Sequence, residues 1–377
     1  MERFDVAIIG GGIIGGSIAF ELARHKVRVA LLDRQQPGLE ASWAAAGMLS
    51  PAPDSPDAIP LVPLGRASLA LYPEFIAAVE EASGHKTGYQ TTGTLEVFFA
   101  GDAERELSTL IALHHGLGLP SEPLRLEEAQ RLEPALSREA RATALLAYES
   151  SVDPRALTAA VLAAAAQKGV QIRAGTEVTS LLEQACRCTG AIAGDKKYSA
   201  GHVVLAAGCY SGKIAELARY APTRPVRGQM VALQSSSVQL GCVLRSARGY
   251  IVPRGDGRPQ KLVAGSTLEN AGFTKRVTPE GLSRILDAVI ELTPGLADAA
   301  VVETWSGLRP DTPDHLPVLG PAGIEGLVVA TGHYRNGILL APITAKLIRE
   351  WLTERRTSLA WEAFSPLRFA AARRATS

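Results

Sequence analysis

At 377 residues the chain exceeds the usual size of a single core, which predicts two domains. Hydrophobic residues make up 46% and charged residues 20%, with no low-complexity tract, which excludes a disordered chain. A formal net charge of +1 leaves no global field to gather nucleic acid or an anionic membrane. No apolar run approaches the roughly 20 residues that span a bilayer.

The chain opens on "MERFDVAIIG" with no cleavable signal pattern, so a cytoplasmic location is expected. Phe4 to Ile9 is a β-branched run suited to a strand buried on both faces. Gly10, Gly12 and Gly15 then give G-x-G-x-x-G, Ile13 to Arg24 carries helical periodicity, and Val27 to Leu32 forms a second strand. Asp33 closes the unit 18 positions after Gly15. A complete βαβ unit of this kind predicts a dinucleotide site. The glycines allow a tight turn and close approach of pyrophosphate, the helix N-terminus offers unpaired N–H groups, and Asp33 can accept from a ribose diol.

After the proline-rich "PAPDSPDAIPLVPLG", helical character resumes over 66–82, and Thr87 to Phe99 reads as strand. Helices are expected near 103–117, where His114-His115 falls on a surface helix, and near 126–131. Asp153-Pro154 reads as an N-cap followed by a first-turn proline, and that helix stops at Gly169. "VQIRAG" and Val203 to Ala207 follow as strands, the latter ending at Gly208 beside the nucleotide. Residues 224 to 273 alternate with period two, the pattern of an antiparallel sheet, before a helix around 279–292. Cys186, Cys188, Cys209 and Cys242 lack metal-ligand spacing and read as reduced thiols. Arg373 and Arg374 read as a frayed basic tail.

"WSGLRPDTPDHLPVLG", residues 305–320, is too rich in proline for a helix or a central strand. A rigid loop is expected there, with Arg309 either a solvated charge or held toward an anion. "GLVVATGHYRNGILLAP" is again strand, glycine turn and helix, starting at about Asn336-Gly337. That second helix N-terminus favours a ring that becomes anionic on reduction, a flavin, over a nicotinamide. The fold class that emerges is α/β plus α+β. A Rossmann-like FAD-binding domain with a parallel sheet (1–85, 150–220 and 305–377) is interrupted by a substrate domain on an antiparallel sheet (86–149 and 221–304).

Seven segments in order carry a resemblance: "DVAIIGGGIIGGSIAFELA", "ASWAAAGML", "VDPRAL", "VRGQM", "GYIVPR", "WSGLRPDTPDHLPVLG" and "GHYRNGILLAPITA". With these the chain resembles the amino-acid-oxidising flavoproteins of the D-amino-acid oxidase and sarcosine oxidase superfamily, glycine oxidases associated with thiamine biosynthesis above all. The resemblance implies FAD contacts at Ile13, Ile14, Asp33 and Arg34. It implies a covering loop at Ala41, Ser42, Ala46, Gly47 and Met48, and an adenine contact at Val178. His333, Tyr334, Arg335, Asn336, Gly337, Ile338 and Leu339 would line the flavin. Arg309 would hold a substrate carboxylate with the Tyr250 hydroxyl, and Arg335 would lie near both substrate and flavin. No catalytic acid, base or nucleophile is implied with certainty.

The implied chemistry is hydride loss from the α-carbon of glycine, sarcosine or a small D-amino acid to flavin N5. The products would be a 2-oxo acid, ammonia and, with molecular oxygen as acceptor, hydrogen peroxide. A dehydrogenase of the same fold with another acceptor is the alternative. No cysteine falls near 309–320, so FAD is expected to be non-covalent, and the family's habit implies a homotetramer. Tyr250 could equally be a core tyrosine, His333 a helix-entry cap or an acid–base group, and Met48 a flavin contact or a gap-filler. Arg254, beside "GDG", is expected to be solvated, while Leu268 and Arg248 could alter the pocket and its entrance.

Overall fold

A computed structural model of the chain describes residues 3–53, 55–214 and 217–372; Met1, Glu2, Arg373 and Arg374 lie outside them. The glycine-rich unit forms as expected: strand Arg3–Ile9, helix Ile13–Arg24, strand Val29–Leu32. The strand Arg3–Ile9 is central in an eight-stranded sheet. It pairs in parallel with Val29–Leu32 on one side and Lys196–Leu205 on the other. Gln171–Arg173 and Leu327–Thr331 extend the parallel ladder outward, and Val318–Pro321 closes one edge antiparallel. Helices Ile13–Arg24, Val62–Ser83, Pro154–Gln167 and Gly337–Glu354 cover one face. Their apolar sides interlock around Ile18, Tyr72, Val161 and Leu340, each fully buried.

The antiparallel hairpin Ser180–Gln184 and Arg187–Ala193 continues from Lys196–Leu205. No strong periodicity announces it, and its tight turn places Ala185 and Cys186 at positive φ, as a hairpin turn demands. Cys186 is thus a turn residue, and no disulfide joins the four cysteines. Helix Val62–Ser83 begins earlier than its pattern predicts. Pro63 suits the first turn, and the Ser68 and Tyr72 hydroxyls tie the helix to the carbonyls of Leu339 (2.6 Å) and Ile338 (2.5 Å).

The second sheet also has eight strands. In spatial order they are Ala300–Asp311, Arg224–Ser235, Gln260–Gly265, Gly249–Arg254, Val243–Ser246, Thr94–Phe98, Ala142–Leu146 and Glu122–Leu124. All pairs are antiparallel except Val243–Ser246 with Thr94–Phe98. Helix Pro279–Leu292 packs on its back.

The proline-rich stretch departs from expectation. Arg309 stands not in a loop but in the twelve-residue strand Ala300–Asp311. The strand tolerates Pro310 because it lies at the sheet edge, where the missing N–H has no ladder partner to fail. The chain then turns over residues 312–317 and enters the first sheet as Val318–Pro321. Buried Asp311 pins that crossing by accepting from Arg224 Nε (2.8 Å) and His315 Nδ1 (2.7 Å). The expected domain boundary at 304/305 therefore falls inside a strand. Among the described residues no helix is long and apolar enough to cross a membrane, and no cluster of side chains could hold a metal.

Candidate functional site

The two sheets meet over a cavity of about 470 Å³, at the end where the parallel strands stop at Ile9, Leu32 and Leu205. This is where an open α/β sheet presents ligands. Both helices whose starts were singled out open onto it, through Ile13 and Ile14 and through Gly337 and Ile338. Neither has an acidic residue in its first turn to answer the exposed N–H groups.

Gly10 runs at φ 105°, and a β-carbon there would sit 2.5 Å from the Ala206 carbonyl oxygen. A β-carbon on Gly15 would fall 1.9 Å from the Gly10 oxygen, so helix and turn close on each other only without side chains. The Ile13 N–H donates to Ser42 Oγ (2.9 Å), which brings the loop at 41–48 over the helix start. Asp33 accepts from the backbone N–H of Gly11 (2.7 Å) and Gln35 (3.0 Å), fixing the turn while its carboxylate lines the cavity. Arg34 pairs with Glu40 (2.7 Å) and lies 3.5 Å over the ring of Tyr210.

At the other end, Arg309 reaches across Gly228, the neighbour of its own strand partner Val226. A β-carbon on Gly228 would sit 2.4 Å from Arg309 Nη1. Arg309 donates to the Thr267 carbonyl (3.1 Å) and Ser266 Oγ (2.7 Å). Desolvation lowers its pKa from the ordinary value and Arg335 adds to that; among the described residues no carboxylate pairs with it. The Tyr250 hydroxyl faces the same space, beside the Arg309 guanidinium, and lies 3.6 Å from the Met230 thioether. Tyr334, Arg335, Met48, Ala46 and Gly47 complete this end.

Ala41, Val178, Gly208, Gly12 and His333 also line the cavity. Gly15, Asn336 and Leu339 do not: Gly15 packs against the turn, Asn336 caps the helix, and Leu339 is buried behind the wall. Arg254 is not solvated. It donates to the Ala46 carbonyl, and burial pushes its pKa down to about 10 against the pull of Asp153. The loop at 41–48 is thus propped from beneath by a cation that sequence context assigns to solvent. His114 is likewise buried, at 3% exposure, because its helix packs that side inward. Leu268 is 63% exposed and lies outside the cavity wall, and Arg248 pairs with Glu291 (2.9 Å) away from it.

Ser266, Met230, Gly228, Glu40 and Tyr210 line the cavity without having been foreseen. Sequence cues existed for three of them: Tyr210 stands two residues past Gly208, and Gly228 and Met230 lie in the "VRGQM" segment, to which no role was given.

His333 is held as a neutral ring. It is buried, its Nε2 lies 3.1 Å from Thr344 Oγ1, and desolvation lowers its pKa to about 3. A neutral ring at working pH supplies no proton. Its linkage has a definite sign: below its unfolded value of about 6.5 the unfolded chain binds a proton that the folded chain refuses. Stability tied to this ring is therefore full above about pH 6.5 and is withdrawn as pH falls toward 3. His333→Gln should flatten the loss of Tm between about pH 7.5 and about pH 5. An equally steep loss in the variant would remove His333 from the acid limb.

Glycine-permitted approach, two helix starts without an acidic residue and a largely apolar cleft fit an FAD, and the comparisons agree. The model of the FAD dependent oxidoreductase family matches residues 5–351. The chain is 36% identical to the bifunctional protein ThiO/ThiG of Synechocystis sp. over 97% of its own length, but it spans only 54% of that relative. It is 34% identical to the glycine oxidase of Geobacillus kaustophilus, with 97% of both chains covered. The crystal structure of glycine oxidase from the same organism superposes with a TM-score of 0.90 at 32% identity, covering 97% of this chain and 98% of that one. Motifs, cavity and comparisons together place the chain in the family of FAD dependent oxidoreductases.

Proposed function

We propose that the chain is an amino-acid oxidase of the glycine oxidase kind, acting on glycine and other small amines such as sarcosine and small D-amino acids. The observation that carries this is Arg309, a cation held in a cavity wall and answered by no carboxylate among the described residues. Leaving it so is costly unless a ligand brings the anion. A planar guanidinium already fixed by two hydrogen bonds is suited to grip a substrate carboxylate bidentately. The Tyr250 hydroxyl, with its weak sulfur partner, adds a second donor, and Arg335 stands at the mouth.

FAD, held without a covalent link by the glycine turn and the two helix starts, would supply the hydride acceptor for the α-carbon and electron transfer to oxygen. The protein's own part is orientation. The acidic lining residues Asp33, Glu40 and Glu177 are not among those gathered around Arg309; Asp33 and Glu40 sit with the dinucleotide motif. Together with neutral His333, that arrangement leaves substrate activation to loss of the ammonium proton and not to a protein base. The resulting imine hydrolyses to a 2-oxo acid and ammonia. In this reading the parallel-sheet unit holds FAD, the second sheet, with strand Ala300–Asp311 in it, faces the substrate, and the chain self-associates.

Oxygen uptake by the purified yellow protein with glycine, sarcosine, D-alanine and D-proline tests the proposal. Uptake with at least one, accompanied by peroxide, is expected. Dye reduction without oxygen uptake would replace the oxidase with a dehydrogenase, and inertness toward all four would overturn the substrate class.

A further inference from the structure

A half-buried knot of polar side chains lies on the face of the second sheet opposite the cavity. Successive strand residues point to opposite faces. On Arg224–Ser235, Gly228 and Met230 therefore line the cavity while Arg227 and Gln229 face helix Pro279–Leu292. Arg227 is 8% exposed and Gln229 fully buried. Both converge on Glu269: Arg227 Nη2 donates to Oε2, and Gln229 Nε2 donates to Oε1 (2.7 Å). Backbone hydrogen bonds between Arg227 and Glu269 (2.9 and 3.0 Å) add a β-bridge. Gln229 Oε1 also accepts from the N–H of Thr278, which caps the helix.

The segment leaving strand Gln260–Gly265 crosses between these two faces. On the cavity side, Ser266 Oγ and the Thr267 carbonyl receive Arg309. On the far side, the Thr267 hydroxyl donates to Glu269 Oε1 and accepts from the Gln229 N–H (3.0 Å). Thr267 is thus gripped by its hydroxyl from behind while its carbonyl orients the guanidinium in front. Desolvation would raise the Glu269 carboxyl, but hydrogen bonds from Arg227, Thr267 and Gln229 outweigh it and hold the pKa below the ordinary carboxylate value. The group is a fixed anion at working pH.

We propose that Glu269 is a positioning residue for substrate: by gathering Arg227, Gln229 and Thr267 it sets the angle at which Arg309 meets the carboxylate. This rests on the reading of Arg309 as the carboxylate clamp. Glu269 does not line the cavity, so its influence passes through Thr267. Removing it also leaves Arg227 as a buried cation on the strand next to Arg309, without its partner.

The test is steady-state oxidation of glycine by the FAD-loaded protein carrying Glu269→Ala, Thr267→Val or Arg309→Ala, and the double variant Glu269→Ala/Arg309→Ala. Thr267→Val cuts the hydroxyl link while sparing the Arg227–Glu269 pair, so it reports even if Glu269→Ala folds poorly. Each of these two variants is expected to raise KM about tenfold with kcat within about twofold and FAD content unchanged. In the double variant, Glu269→Ala should add less than about twofold to the loss from Arg309→Ala, because the residue it positions is gone. Unchanged KM in Thr267→Val, or a full additive loss in the double variant, overturns the positioning role. An Arg309→Ala protein with wild-type KM overturns instead the reading beneath it.

Discussion

Arg309→Ala should lose on the order of a hundredfold in kcat/KM for glycine and keep its FAD. The clamp is a fixed cation with two of its donors already spent on Ser266 and Thr267, so the rest of its fork is free to turn into the cavity. Truncating one partner of a buried, hydrogen-bonded charge pair costs about 2–5 kcal/mol, and each 1.36 kcal/mol is a factor of ten. FAD retention follows from distance along the fold: the dinucleotide turn and both helix starts belong to the first sheet, and Arg309 belongs to the edge of the second. Arg309→Lys should recover only part of the loss, since an ammonium cannot reproduce the fork. Steady-state kinetics with flavin content measured in parallel check both variants. A kcat/KM within about twofold of wild type in Arg309→Ala would remove the clamp.

Gly15→Ala should abolish FAD loading. Its β-carbon would lie 1.9 Å from a backbone oxygen that no rotamer change can move. Relief requires helix Ile13–Arg24 to shift away from the turn carrying Gly10 and Gly12, which is the surface meant for the pyrophosphate. Overpacking of this kind costs about 1–3 kcal/mol or more. The neighbouring Gly16→Ala is the control, because its β-carbon meets only the side chains of Val161 and Leu162, at 3.2 and 3.3 Å. Absorbance of the purified proteins decides: Gly15→Ala is expected colourless and Gly16→Ala yellow. Equal flavin content in the two would refute the close-packing account.

What was legible in the chain was local. The βαβ unit, the helix starting at Gly337 and the N-cap at Asp153 depend on neighbours in sequence, and the structure has all three. Arg309 was legible as a candidate, but its setting was not. Prolines in a row read as a loop, whereas the pairing of Pro310 with Pro225 makes an edge strand. Arg254 misleads for a similar reason: the fold, not the adjacent glycines, carries the Ala46 carbonyl to its guanidinium. Ser266, Met230 and Gly228 reach the cavity only through cross-strand register, Met230 opposite Gly265 and Gly228 opposite Gly307. No period or spacing in a single sequence encodes that register. The Glu269 knot is hidden for the same cause, since its members sit on the far side of that sheet.

Anaerobic mixing of glycine with the purified yellow protein, followed by visible absorbance, tests the central claim most directly when wild type and Arg309→Ala are run side by side. Glycine should bleach the wild-type flavin, with the variant requiring about a hundredfold more glycine for the same change. Bleaching at equal glycine in both proteins, or no bleaching of the wild type by glycine, sarcosine, D-alanine or D-proline, would contradict it.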